Sequence, residues 1–145
     1  MNIMGTRSLT IMFDENDKEI AVLYRQFDGY PSGHGKELCD FLTGFKVVNG
    51  IDSTQGKVAN GGGCLAAQII AFFKREVGGF YLYPAGTRKV WEEYRYYVYP
   101  KTNEKIRVNV EKVICVTEKQ ILGKTIYLGY AEDFNGDVLE EDQED

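Results

Sequence analysis

The period of the apolar residues changes from two to nearly four and back to two along this chain, and that order restricts the fold more than any other feature. Residues Thr6 to Phe13 alternate, Asp14-Glu15-Asn16-Asp17-Lys18-Glu19 is polar, and Ile20 to Phe27 alternates again. Two alternating runs about a polar turn read as a β-hairpin. Setting Phe13 opposite Ile20 puts Ile11 opposite Val22, Leu9 opposite Tyr24 and Arg7 opposite Gln26. One apolar face then holds Leu9, Ile11, Phe13, Ile20, Val22 and Tyr24, with Arg7 at its open end. A first helix starts near Ser32 to Gly35, carries Leu38, Phe41 and Leu42 inward, and ends at Gly44. Phe45 to Gly62 reads as irregular. A second helix from about Gly63 to Val77 is apolar nearly all round, which predicts burial between layers. Gly78-Gly79 stops it.

The rest reads as sheet: Phe80 to Tyr83, Glu92 to Tyr99, Ile106 to Thr117 and Lys124 to Ala131. Val108 and Val110 are out of phase with Val113 and Cys115, which predicts a bulge. The order ββααββββ, with helices segregated from strands, predicts an α+β fold with a mostly antiparallel sheet of about six strands and two helices.

A chain of 145 residues fits one domain. The expected boundaries are 1–133 for the domain and 134–145 for an acidic, disordered tail. From Ala131 onward come Glu132, Asp133, Asp137, Glu140, Glu141, Asp142, Glu144 and Asp145, with no Lys or Arg. The net charge of −5 therefore hides a mildly basic body, and an anionic ligand is compatible with it. No apolar run approaches the length of a membrane span. Cys39, Cys64 and Cys115 form no CxxC pair, so free thiols and a cytoplasmic setting are expected. One histidine and no dense carboxylate motif in the body give a metal little to bind. No metal or cofactor is expected.

Three constellations bear on function. The loop Asp28-Gly29-Tyr30-Pro31-Ser32-Gly33-His34-Gly35 feeds a helix. Glycines there would let backbone N–H groups approach an anion, with Arg7 or Arg25 as charge partner. The plainer alternative is a structural corner held by an Arg7–Asp28 pair. Gly61, Gly62 and Gly63 open the second helix in the same manner, although no Gly-Lys-Ser/Thr follows them as a phosphate loop requires. Cys64 beside His34 would make a Cys–His hydrolase, but an inert, buried cysteine heading an apolar helix is the expectation. The stretch from Phe80 to Arg107 interleaves tyrosines and Trp91 with Arg88, Lys89 and Arg95. Along it Glu92, Tyr94, Tyr96 and Val98 point one way, and Trp91, Glu93, Arg95, Tyr97 and Tyr99 the other. Tyrosines on both faces predict that one face meets something other than core: a nucleobase, or an oligomer interface.

Met4-Gly5-Thr6-Arg7-Ser8-Leu9 followed by Asp28-Gly29-Tyr30-Pro31-Ser32-Gly33 and Gly35 resembles a group of small phage and prophage proteins that open with a TRS strand and carry a DGYP-x-G-x-G loop. The resemblance covers about 40 residues and brings no established activity. It implies a mobile-element origin, a host-cell cytoplasmic setting and, by analogy, action against host defence. Together these features favour non-enzymatic sequestration of a small nucleotide-type anion, such as a cyclic dinucleotide or an adenine-ribose signal. The site would draw on Arg7, Arg25, Asp28, Gly29, Tyr30, Gly33, His34, Gly61, Gly62, Gly63, Arg88, Trp91, Tyr94, Arg95 and Tyr97. The alternatives are a protein inhibitor of a host defence effector and, last, the hydrolase. A homo-oligomer is expected from the surplus of aromatic surface.

Overall fold

The computed structural model describes residues 5–50 and 56–143, with backbone alone for 140–143. Met4 of the N-terminal motif, residues 51–55 of the stretch read as irregular, and the last two residues of the tail lie outside it. The hairpin is β1 (Ser8–Phe13) and β2 (Glu19–Arg25). A single π-helical turn, Pro31–Gly35, leads into α1 (Lys36–Leu42). Then follow β3 (Lys46–Val48), β4 (Val58–Asn60), α2 (Gly61–Phe73), β5 (Phe80–Pro84), β6 (Tyr94–Tyr99), β7 (Arg107–Cys115) and β8 (Ile121–Tyr130). A 3-10 turn, Ala131–Asp133, leads to α3 (Gly136–Gln143).

The fold is α+β, as the order of periods predicts. Its six-stranded sheet has the order β5-β2-β1-β6-β7-β8, and every pair is antiparallel except β1 with β6. The hairpin register agrees at Leu9–Tyr24 and Ile11–Val22, but an irregularity after Met12 sets Phe13 opposite Glu19 rather than Ile20. The predicted bulge in the seventh strand falls between Val110 and Glu111. The stretch from Phe45 to Gly62 is not wholly irregular, because β3 and β4 pair there in parallel.

The main core lies between one sheet face and the helices. Met12, Leu23, Tyr96, Val98, Val108 and Val110 meet Leu38, Leu42, Leu65 and Ile69 there. Each such side chain contributes about 1.5–3 kcal/mol by leaving water. Leu9, Ile11 and Val22 point the other way. They form a second cluster with Phe13, Tyr24, Tyr83, Val90 and Tyr97, to which no helix contributes. The apolar face read from the hairpin is therefore not the face under the helices. Nor is α2 buried all round: Gly63, Cys64, Ala67 and Ala71 are exposed.

The acidic end is not disordered through 136–143. Composition argues for a solvated tail, but Phe134 packs edge-on against Tyr127 at 5.2 Å between centroids. The Phe134 ring also fills the space a side chain at Gly35 would take, and Gly136 sits directly on the Pro31 carbonyl. The glycine-rich loop is thus a socket for the start of α3. Two glycines make the approach possible, Gly35 under Phe134 and Gly136 on Pro31, contacts between distant parts of the chain that composition does not register.

At the entrance to α2, Gly61 takes a φ of +80°, and the Gly62 N–H donates to Glu15 Oε2 at 2.6 Å. The hairpin turn holding Glu15 is itself fixed, because Asp14 Oδ1 accepts from the N–H groups of Asn16 and Lys18. A carboxylate capping a helix start contributes about 1 kcal/mol. Glu15→Ala should therefore lower stability by about 1 kcal/mol, read as a shift in the urea midpoint at pH 7. An unchanged midpoint would show that the cap contributes nothing.

Candidate functional site

The sheet face without helices is where the remaining tyrosines gather. Alternation along β6 buries Tyr94, Tyr96 and Val98 in the main core and turns Arg95, Tyr97 and Tyr99 to the open face. Cross-strand pairing brings Tyr83 beside Val22 and Tyr81 beside Tyr24 on that same face. Tyr24 lies 6.0 Å from Tyr81 and 5.7 Å from Tyr83, with rings tilted in both pairs. Phe13 stacks on Tyr99 at 4.6 Å. A strap of residues 85–93 crosses this face and inserts Val90 into the Leu9–Ile11–Val22 cluster.

Two open cavities lie on the sheet, and the strap's Val90 lines the first of them. One, of about 240 Å³, is lined by Tyr24, Gln26, Tyr81, Tyr83 and Val90. The other, of about 270 Å³, is lined by Tyr97, Tyr99, Asn109, Glu111, Thr125 and Leu128 among others. Burial raises the Tyr24 pKa, Tyr83 and Tyr81 add to it, and the Arg7 guanidinium opposes it. Burial also raises Tyr97, whose hydroxyl donates to Glu111 Oε1 at 2.9 Å. Both phenols are neutral hydrogen-bonding groups at neutral pH.

The strap is rigidly held. Lys89 and Trp91 have φ of +59° and +69°, a region that bulky side chains rarely adopt. Between them and the sheet, the Glu92 carboxylate accepts from the N–H groups of Lys89 and Val90 and from Arg95 Nε. Trp91 is 81% exposed. A strained backbone presenting an exposed tryptophan marks a place where the fold gives up stability locally.

The other nominated groups are spent on structure. In the Asp28–Gly35 loop, Gly29 N–H donates to Thr6 O, Gly33 N–H and Gly35 N–H to Tyr30 O, and His34 N–H to Asp28 O. Gly29 is glycine because a side chain there would strike Ser8 and the Arg7 carbonyl carbon in β1 and just before it. The loop is a corner, not an anion cradle. Its expected Arg7–Asp28 pair is absent among the described ion pairs, where Asp28 instead sits 4.0 Å from Arg25. Arg25 also donates to Glu37 Oε2 at 2.9 Å and to the Phe27 carbonyl. Tyr30 lies beside this corner, its hydroxyl donating to Asp28 Oδ1 at 3.3 Å. At Gly61, Gly62 and Gly63 the helix start already holds the Glu15 carboxylate, so a phosphate is repelled there. Arg88 grips Glu19 through both Nη atoms, and Arg95 grips Glu92 and Glu111. Tyr94 is a core residue, unable to stack on a ligand.

His34 and Cys64 do not form a catalytic pair. His34 is fully buried, with Nε2 2.6 Å from Thr10 Oγ1 and Nδ1 3.2 Å from Arg25 Nη1. Cys64 is exposed rather than buried, and its Sγ lies 3.5 Å from Gln68 Oε1. All three cysteines are free. Burial, reinforced by Asp40, pushes the Cys39 thiol up to about 12, leaving it inert. Among the described residues no group of three His, Cys, Asp or Glu is placed to hold a metal, and no helix is long and apolar enough to cross a membrane.

Of the nominated residues on the open face, Arg95 is taken up by Glu92 and Glu111, while Arg7, Trp91 and Tyr97 make no described ion pair. Tyr24, Gln26, Tyr81 and Tyr83 join them. Reasoning from sequence did not nominate these four, although Tyr81 and Tyr83 lie in the tyrosine-rich stretch and the hairpin register already put Gln26 opposite Arg7 and Tyr24 on the same face. No protein-family model, curated protein or solved structure matches the chain.

Proposed function

We propose that the protein is a non-catalytic binding module that captures a small nucleotide-type anion, of the cyclic dinucleotide or adenine-ribose kind, on its open sheet face. One observation carries this reading: a tyrosine-lined sheet face that no helix covers, crossed by a strap that displays Trp91. Aromatic rings on a flat sheet stack on bases whatever their sequence, at about 1–3 kcal/mol per base. The resemblance to small phage proteins supports sequestration of a host signal as the purpose. The separation of buried His34 from exposed Cys64 weighs against the hydrolase alternative.

Calorimetry against mononucleotides, linear and cyclic dinucleotides and adenine-ribose compounds is the test. The expected result is binding of at least one member, with the compound recovered intact from heat-denatured protein. Recovery of a degraded compound would replace capture with catalysis. Silence across the panel would replace it with the second reading, inhibition of a protein partner. That reading is favoured by the exposure of Trp91, since tryptophan is the residue most enriched among interface residues that dominate binding.

A further inference from the structure

Arg7 is placed by three constraints. Its carbonyl accepts from the Glu93 N–H at 2.9 Å, which ties it to the end of the strap. Ser8 next to it is buried on the helix side, so alternation sends Arg7 to the open face. Extending the Ser8–Arg25 pairing by one residue sets it opposite Gln26, and its guanidinium is within hydrogen-bonding reach of the Tyr24 hydroxyl. The Nε atom is buried and has no hydrogen-bond partner, and among the described residues Arg7 makes no ion pair. A buried donor atom without a partner, in a guanidinium that no carboxylate neutralises, is an uncommon feature that calls for an explanation. The cavity lined by Tyr24, Gln26, Tyr81, Tyr83 and Val90 opens beside it.

We infer that this cavity takes a nucleobase carrying one phosphate contact, as a monoester or a diester, with the base against the tyrosines and the phosphate on Arg7. This rests on the binding reading above and narrows it. The guanidinium fork suits two phosphate oxygens at once. Gln26 offers an amide donor and acceptor to a base edge. The count of one phosphate follows from the neighbouring cations. Arg88 is committed to Glu19, Arg95 to Glu92 and Glu111, and Lys74 Nζ, beside the Tyr81 ring, to the carbonyls of Gly78 and Phe80. Lys89 stands exposed in solvent. Further phosphates would project into water and gain little. A cavity of about 240 Å³ holds a base and part of its sugar, not a polyphosphate.

Trp91 is the only tryptophan, so its fluorescence reports on this end of the sheet without a label. The experiment titrates the full chain with adenosine, AMP, ADP, ATP, linear and cyclic diadenylate, the three other mononucleotides, and inorganic phosphate, by calorimetry with fluorescence alongside. The preferred mononucleotide should bind at least about tenfold tighter than its nucleoside, as a charge-assisted contact predicts. Its di- and triphosphates should fall within about threefold of it, since screened charges add little. Tighter binding of a dinucleotide than of the mononucleotide assigns the diester as the source; the reverse assigns the monoester. Arg7→Lys should weaken the nucleotides about tenfold and leave the nucleoside unchanged, because a point charge cannot reproduce the fork. Gln26→Ala should weaken the nucleotide and not inorganic phosphate, with circular dichroism confirming that both variants fold. Affinity climbing steadily with phosphate number, or indifference to Arg7→Lys, overturns this inference while the binding reading stands. No signal from any compound overturns both.

Discussion

Lowering the pH from 7 to 4.5 should remove about 2–3 kcal/mol of stability through His34 alone. The Arg25 guanidinium only donates, so the His34 Nδ1 facing it must carry the lone pair. The proton of the neutral ring therefore sits on Nε2 and is donated to Thr10 Oγ1. Burial, and secondarily the charge of Arg25, depresses the pKa from 6.5 to about 3. The folded state stays neutral while the unfolded chain takes up a proton below pH 6.5. Stability is thus complete above that value and falls by about 1.4 kcal/mol per pH unit on the way down toward 3. The groups around the ring do not confuse the window. The ring's described neighbours are Thr10, Arg25, Phe73 and Tyr96, none of them a carboxylate. Between pH 6.5 and 5 the slope belongs to the only histidine. Urea unfolding at half-unit intervals should show it, and His34→Gln should flatten it at some cost at pH 7. A wild-type midpoint that is level from pH 7 to 5 would mean the ring is not buried neutral.

Local patterns carried most of the fold, and long-range partners carried what the sequence hid. The alternation of Tyr94 to Tyr99 separates core from open face correctly because a strand's period is fixed by its own backbone. The bulge after Val110 shows as a break in that period for the same reason. The glycine corners misled because the number of glycines says nothing of where their N–H groups go. Those of the first loop are taken by Thr6, Asp28 and Tyr30, and that of Gly62 by a carboxylate 47 residues earlier. Arginines misled likewise. Arg88 and Arg95 read as free cations in a basic stretch, yet Glu19 and Glu111 reach them across the sheet. Arg7 is distinguished from them only by what fails to reach it. The final helix escaped notice because acidic composition describes its exposed face, while Phe134 and Gly136 do the docking.

Glu92→Ala should cost about 3 kcal/mol and loosen the strap over the proposed site. The Glu92 side chain is 1% exposed, and its two oxygens serve three donors: Val90 N–H at 2.8 Å, Lys89 N–H at 3.2 Å and Arg95 Nε at 2.9 Å. Removing one member of a buried ion pair strands the other, which is the expensive way to break it. Arg95, itself 12% exposed, would keep only Glu111 at 3.2 Å. The two N–H groups would lose their acceptor just where Lys89 and Trp91 are held at positive φ. The strap would then be held by Val90 in its apolar socket, by Arg88 on Glu19 and by the Glu93 N–H on the Arg7 carbonyl, none of which fixes Lys89 and Trp91 directly. The variant should therefore show a lower urea midpoint together with a fall in Trp91 fluorescence anisotropy at temperatures where it remains folded. Glu93→Ala, at an exposed side chain on the same strap, is the control and should change neither. A loss of stability with the tryptophan signal unmoved would separate the two roles, leaving Glu92 a buried ion pair and the strap held in place by Val90, Arg88 and the Glu93 N–H.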